Sequence, residues 1–494
     1  MEKWYVIGID IGTQGTKTAL FDSEGNKITE AFEASHLIYC RVGEVYQKPL
    51  EIYGSVLRTI RAVVEKSHVC PSKILALGID AQMAGIMGVD ENFEAVGIYD
   101  SWLDTRCEPY IKEMKSYAGE EIVRKTGGAV TYTHGPKILH RKKELPEEYT
   151  HISRFVLPGV YVAGKMCGLK AEQAWIDYTH LHFSGFADNE KKKWDEGLLE
   201  EFDVDKNKMP EIVNPWKIVG NLGREAAENC GLREGTQVVA GCGDSAASAL
   251  GAGIVEKNMV YDVAGTASVF SCSTDLYTPD QEHQTIFFAR SVLDELYTPL
   301  AYIGGGGLCL KWFCEYHGKD YAYWNREAKK IRTGSEDLYF VPHFSGRTCP
   351  NDPKVKGAYW GLSFCHTPAH MYRSIMESLA YEYMYYFSIL KEKNHQIAPD
   401  CIYGAGGGTK SAVFNQIKAD ALGMIYQPLE EADTAVYASG MIAAYGVGLI
   451  TQLKEHMKLS HKKESYAPIK DNHEDYKERM KRYIKLVDTL GTIS

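Results

Sequence analysis

The chain has no surplus of positive charge, no cysteine framework and no long apolar run, and each absence excludes something. Asp and Glu outnumber Lys and Arg by 65 to 55, a net charge of −10. Proteins that grip nucleic acid usually displace counterions with a basic face. The most basic run here, Lys191–Lys193, is interleaved with Asp188, Glu190, Asp195 and Glu196 and reads as solvated surface. Nucleic acid is therefore excluded as a partner. The 12 cysteines contain no C-x-x-C pair, and the nearest two, Cys309 and Cys314, are spaced too loosely for a zinc motif. No apolar stretch reaches the ~18–20 residues that a membrane-crossing helix needs, so no membrane partner is expected. Met1–Trp4 runs straight into a β-rich segment without a secretory leader. Scattered thiols without an export signal predict a reducing, cytoplasmic setting.

What is present fits a large globular chain. Its 494 residues are 45% hydrophobic and 24% charged, enough for two to four domains at roughly 100–200 residues each. The pattern predicts strands at Trp4–Ile9, Thr18–Phe21 and Lys27–Ala34, then a helix over Pro49–Lys66 with Ile52, Val56, Ile60 and Val63 on one side. Strands follow at Ile74–Ile79, Ile86–Val89 and Ala95–Tyr99, and a helix at Glu108–Arg124. A later block predicts strands at Val238–Ala240, Met259–Val263, Val269–Cys272 and Cys401–Tyr403. It predicts helices at Ser245–Leu250, Leu308–Tyr316, Ala369–Lys393 and Ser411–Leu422. Strand–glycine turn–strand units thus occur near both 5–21 and 259–272, a weak repeat that predicts two similarly built domains with a ligand cleft between them.

Four segments carry chemistry. In Gly8-Ile-Asp-Ile-Gly-Thr-Gln-Gly-Thr-Lys17 an acid ends a strand before a tight Gly/Thr turn. Bare backbone N–H groups there can approach phosphate, and Asp10 can hold Mg²⁺, although a plain hairpin turn satisfies the same pattern. Gly265–Ser268 is a second such turn. In Gly241-Cys-Gly-Asp244 the acid stands between an apolar strand and a small-residue helix, where it can accept a substrate proton or simply cap the helix. Gly404–Gly408 offers bare backbone to a flat ligand, or is a structural turn.

Gly357-Ala-Tyr-Trp-Gly-Leu362, seven further residues and then His370-Met-Tyr-Arg-Ser-Ile-Met-Glu377 resemble the second signature of the FGGY carbohydrate kinases. Phe344–Arg347 with Asn351–Pro353, and Gly404–Gly408 followed by Asn415, Gln416, Ala419 and Asp420, resemble that family as well. The resemblance runs nearly end to end. It implies an α/β fold of two actin/Hsp70-like (ribonuclease H-like) ATPase domains flanking a catalytic cleft. Residues 1–250 would hold sugar, first phosphate loop and base, and residues 251–494 the second phosphate loop and adenosine. It implies ATP and Mg²⁺, a phosphotransferase acting on an alcohol group, and a small-molecule sugar or polyol as partner; homodimers are common in the family. By position, Asp10 would organise the metal, and Thr13, Gln14, Thr16 and Lys17 the first phosphate loop. Gly265 and Thr266 would form the second, Gly406, Gly407 and Asn415 the adenosine pocket, and Asp244 would be the catalytic base.

The sugar segment, Gly78-Ile-Asp-Ala-Gln-Met-Ala-Gly85, is similar to that of the family's xylulose kinases, which carry His where this chain has Ala84 and small residues where Asp80 and Ala81 stand. Trp102-Leu-Asp-Thr-Arg106 resembles their Trp-Asn-Asp-x-Arg. Gln82, Met83 and Asp104 are carried over as sugar contacts, and Asp80 is added because its carboxylate can replace the acceptor that Ala84 lacks. Arg106 is expected to hold Asp104 or the loop. D-xylulose is the expected acceptor, with another ketose, a polyol or a sugar acid as the alternative. A non-catalytic nucleotide-gated relative is the other class, but Asp10, Asp244 and Thr266 are all present. His180 and His182, read on a possible strand, have no third ligand nearby in sequence, and the tyrosines at 381, 383, 385 and 386 read as helix packing or a subunit interface.

Overall fold

The computed structural model describes residues 3–430, 433–457 and 464–493. In chain order, the elements that position the site are β1 (Tyr5–Ile11), β2 (Gly15–Asp22), β3 (Lys27–Ala34), α1 (Pro49–Ser67), β4 (Ile74–Ala81), β5 (Gln237–Val239), α2 (Asp244–Gly251), β6 (Val260–Ala264), β7 (Ser268–Cys272), β8 (Leu300–Ile303), α3 (Gly306–His317), α4 (Pro368–Lys393), β9 (Cys401–Ala405), α5 (Ala412–Leu422), β10 (Ile425–Pro428), α6 (Thr434–Gly446) and α7 (Lys470–Ile493).

Two compact units emerge. The first gathers the described residues of Met1–Gly253, Ala289–Glu295 and Asp433–Lys458; the second gathers those of Ile254–Phe288, Leu296–Ala432 and Leu459–Ser494. The leading segment of the first unit ends at Gly253, close to the expected division at 250/251, and α6 returns to that unit from further along the chain. The physical reason lies in two glycines. Gly8 and Gly78 sit side by side in the β1–β4 register, and a Cβ there would lie 1.9 Å from the Val436 carbonyl oxygen and 2.0 Å from that of Ser439. The sheet has been stripped of side chains so that the backbone of α6 can lie directly on it.

In the first unit the main sheet runs Ile218–Asn221, β5, β4, β1, β2, β3, with Cys242–Gly243 pairing to β4. β1 and β2 are antiparallel, whereas β1, β4 and β5 are parallel. Ile7, Ile9 and Ile11 share a buried cluster with Ile52, Val56, Ile60 and Val63 of α1. That helix starts with Pro49, a residue whose missing N–H costs nothing there, and ends at His68 with φ 54°. A second sheet of short strands contains Ile86–Val89 and Ala95–Asp100. His180 and His182 lie in a tight turn, Tyr178–Phe183, and not on a strand.

The second unit is built on the sheet β8-β7-β6-β9-β10. Its core holds charges that are paired internally. Asp262 accepts from Lys418 and from the hydroxyls of Tyr383 (2.7 Å) and Tyr426 (2.6 Å). Glu382 accepts from Arg347 at 3.1 Å and Tyr483 at 2.7 Å and contacts His343 Nε2 at 3.0 Å. Glu377 binds Arg373, Ser335 and Tyr476. Arg347, Arg373 and Glu377 of the signature segments thus build core networks on α4 and α7. No helix among the described residues is long and apolar enough to cross a membrane.

Candidate active site

Strand register brings acids together in the first unit. Asp10 is opposite Lys17 on β2 and beside Asp80 on β4, and Asp80 is beside Cys242, two residues before Asp244. The side chains of alternate strand residues share a face, so Asp10 and Asp80 both point to the side covered by α6. Asp244 is the first residue of α2. Its Oδ1 accepts from Ser245 N at 2.6 Å and from Ser245 Oγ at 3.2 Å, and no hydrogen bond from the described residues engages Oδ2.

The electrostatics follow from burial. Desolvation, then the Asp10 charge, pushes Asp244 up to about 7, against the opposing pull of Ser245. Desolvation also raises Asp10, which Asp80 and Lys17 draw partway back. Asp80 is raised well above the ordinary carboxylate range, by complete burial and then by Asp10. One of its oxygens accepts from Ser439 Oγ at 2.6 Å, and its carboxyl is hydrogen-bonded to that of Asp10.

The first loop is linked to the sugar segment. Trp102 Nε1 donates to Thr13 Oγ1 at 2.9 Å, Thr13 donates to Gln82 Oε1 at 3.4 Å, and Gln82 Nε2 donates to Gln47 Oε1 at 2.7 Å. Gln14 is exposed at the turn tip. Lys17 is paired with Asp433, which Lys27 also approaches at 3.0 Å. Met83 lies against Gly243, where a Cβ would meet its sulfur at 2.5 Å.

Three of the residues expected at the ligands are engaged within the chain. Thr16 faces α1, because it neighbours Lys17 on a strand, and shares a 2.7 Å hydrogen bond with Ser55. Asp80 is fully buried between Asp10 and Ser439, so its carboxyl buttresses the acid pair and lines no open surface. Asp104 is consumed locally: Val45 N and Arg106 Nε both donate to Oδ2 at 2.9 Å, and Arg106 N donates to Oδ1 at 3.1 Å. Arg106 does hold Asp104, as expected.

In the second unit Gly265–Ser268 joins β6 to β7 and leaves Thr266 exposed. Gly307 N donates to Gly265 O at 3.1 Å and Leu308 N to Thr266 O at 3.1 Å, so the start of α3 seats this turn. A Cβ on Gly307 would lie 2.2 Å from Gly265 O and one on Gly306 2.1 Å from Ser268 Oγ, so these two positions of the glycine run admit no side chain. In the loop after β9, Gly406 takes φ +88° and the space beside Gly407 is open. Asn415 is buried beneath, donating to Thr409 O at 2.9 Å; it shapes the loop from below.

Ser439, Gln47, Ser245 and Asp433 escaped sequence reasoning. Only Ser245, adjacent to Asp244, had a local signal.

Comparison with known proteins gives these parts a common origin. Residues 5–251 match the N-terminal domain of the FGGY family of carbohydrate kinases, and residues 286–447 match its C-terminal domain. A xylulose kinase of Bacillus subtilis is 26% identical over 460 residues, covering 91% of this chain and 90% of its own. A gluconokinase of the same organism is 23% identical over 505 residues, covering 98% and 95%. The crystal structure of ligand-bound xylulose kinase from Lactobacillus acidophilus superposes with a TM-score of 0.92 at 22% identity, covering 99% of this chain and 100% of its own. The chain belongs to the FGGY family of carbohydrate kinases, two-domain phosphotransferases that act on an alcohol group of a sugar.

Proposed function

We propose that the chain transfers the γ-phosphate of ATP to a hydroxyl of a small ketose, D-xylulose first, with Asp244 as the base. The observation that carries this reading is the state of Asp244. One oxygen is occupied by Ser245, the other is unengaged, and burial tunes the group to about 7. A base works best when its pKa is close to the working pH, because it is then both present in basic form and strong enough to take a proton. Asp244 Oδ2 accepts the proton of the acceptor hydroxyl as the new O–P bond forms and the bond from the γ-phosphorus to the β,γ-bridging oxygen breaks. The leaving ADP keeps that electron pair. Such transfer relies on positioning and on neutralising charge.

Thr13, Gln14 and Lys17 are the phosphate donors of the first unit, with Lys17 exchanging Asp433 for the nucleotide. Gly265 and Thr266 act likewise in the second unit, and the Gly406–Gly407 backbone, held by Asn415, carries adenosine. The donor chemistry fits Mg²⁺. Asp10 offers a carboxylate at a strand end, flanked by Asp80 on the neighbouring strand, and Mg²⁺ is typically held by one or two carboxylates plus phosphates. The bound ion supplies neutralisation of phosphate charge.

Gln82 and Met83 orient the sugar with Trp102. The xylulose kinase and gluconokinase names among the relatives support a ketose or a sugar acid. A homodimer and a reducing cytoplasmic setting complete the reading; every cysteine described is free.

The test is ADP release with Mg·ATP across ketoses, polyols and sugar acids, beside Asp244→Asn. One sugar giving strong, Asp244-dependent release and a phosphorylated product supports the reading. Release unaffected by the substitution removes Asp244 from the base role; release with no sugar above background refutes the substrate class.

A further inference from the structure

The loop that delivers Asp244 is held by a segment outside the family's nucleotide and sugar motifs. Trp175–Thr179 runs beside Ala240–Gly243 and pins it at two points. Trp175 Nε1 donates to Ala240 O at 3.1 Å, and Thr179 Oγ1 accepts from Gly243 N at 2.9 Å. Between these points Gly241 takes φ +79°, and a Cβ on it would lie 1.8 Å from Ile79 O. The loop is thus pressed onto β4 and fixed on both sides of the pressed residue.

The Thr179 contact has a direction built into it. A hydroxyl has one proton to give. Thr179 gives it to Asp177 Oδ1, which also accepts from Thr179 N at 3.0 Å. An oxygen that takes two donors this way is an acceptor in either protonation state of the carboxyl, so the Thr179 oxygen must present a lone pair to Gly243 N–H. Thr179 is fully buried and Asp177 nearly so, which leaves no bulk water to replace a lost partner. Gly243 is the last residue before α2, with φ −70° and ψ 144°. The orientation of its amide therefore sets where the helix begins and where the Asp244 side chain leaves the backbone.

We infer that Asp177 and Thr179 are positioning residues for Asp244: they fix the Gly243 amide, and through it the direction in which the base presents its free oxygen. The inference rests on Asp244 being the base. Loss of the hydroxyl acceptor frees the loop to rotate, and a displacement of about 1 Å at a reacting group costs on the order of 10²-fold in rate.

The experiment compares wild type, Thr179→Val, Thr179→Ser, Asp177→Ala and Asp244→Asn, with Mg·ATP and D-xylulose or whichever panel sugar turns over fastest. Amide hydrogen exchange of the peptide covering 240–246 is followed in parallel without ligand. Thr179→Val is expected to lower kcat on the order of 10²-fold while KM for ATP and sugar stays within about threefold, and to speed exchange in that peptide. Thr179→Ser, which keeps the acceptor, is expected to recover kcat to within about threefold and wild-type exchange. If Thr179→Val does not fold, Asp177→Ala, which removes the acceptor of the Thr179 hydroxyl, carries the test, with faster exchange at 240–246 and reduced kcat at unchanged KM. A Thr179→Val enzyme with wild-type kcat and exchange overturns the inference, as does a Thr179→Ser enzyme no better than the valine variant. If Asp244→Asn itself turns over normally, the base reading fails, and with it the inference.

Discussion

Replacing Asp244 by Asn is expected to stabilise the protein while it destroys turnover. The folded state holds this carboxyl at about 7, against 3.8 for an ordinary aspartate, through desolvation and the neighbouring Asp10. A raised carboxyl pKa means that folding disfavours the charged form. Each pH unit is worth about 1.4 kcal/mol, so the full penalty at and above pH 7 is on the order of 4 kcal/mol. Asp244 still reaches the surface, and water screens part of this, so about 2 kcal/mol is the working figure. The sign follows from proton counting. Between pH 4 and 7 the folded state binds a proton that the unfolded state has released, so wild-type stability from this group falls as pH rises and levels off above 7. Asn carries no charge at any pH. The stability gain of Asp244→Asn should therefore be small at pH 4, grow to pH 7 and then plateau. Denaturant unfolding at pH 4.5, 6 and 8 measures it, alongside ADP release. A variant no more stable than wild type at pH 8, or a gain that shrinks with rising pH, would refute the claim that this acid is held in a strained, desolvated state.

Thr16→Val should leave KM for ATP unchanged and cost at most about 1 kcal/mol, because its hydroxyl faces Ser55, which also donates to Ile52 O; a large rise in KM would return Thr16 to the phosphate loop. Glu382→Gln should cost about 3 kcal/mol, since it strands a buried Arg347. Burial raises the Glu382 carboxyl but Arg347 and His343 outweigh it, bringing it down to about 2, so the wild-type advantage should be full above pH 5 and fade towards pH 2; a flat difference over that range counts against the network. Ala84→His should shift preference toward D-xylulose by about tenfold or more with no loss of stability, because Ala84 already holds φ +62°, a conformation that His tolerates better; an unchanged ranking of sugars means that position 84 does not face the acceptor.

Local punctuation made much of the fold legible. β3 and Ile86–Val89 fall where expected, because Asp22–Asn26 and Asp90–Asn92 mark their turns. α4 was legible from its length and from Asn394 at its end. Asp10 and Asp244 were legible from the glycines beside them, whereas Asp80 entered only through the resemblance of the sugar segment. The inward turn of Thr16 was also available: once Lys17 faces one side of β2, its neighbour must face the other. What could not be seen was contact across distance. Ser439 reaches Asp80 over 359 residues and Thr179 reaches Gly243 over 64, and no periodicity reports such pairs. The return of α6 to the first unit is invisible for the same reason.

The chemistry of the site is a consequence of that return. Gly8 and Gly78 precede Asp10 and Asp80 by two residues on adjacent strands, so all four face α6. Side chains at the glycine positions would hold the helix off the sheet. Without them its backbone settles close enough for Ser439 to reach Asp80, and the acids two residues on are buried with it. Burial is the largest influence raising Asp10, Asp80 and Asp244. A surface aspartate near 3.8 would be fully ionised at neutral pH but too weak a base to draw a proton from an alcohol effectively. The small residues that permit tight packing thus also raise the basicity of the carboxylate we propose as the base, and the repulsion stored among three neighbouring acids is relieved when a proton or a cation arrives.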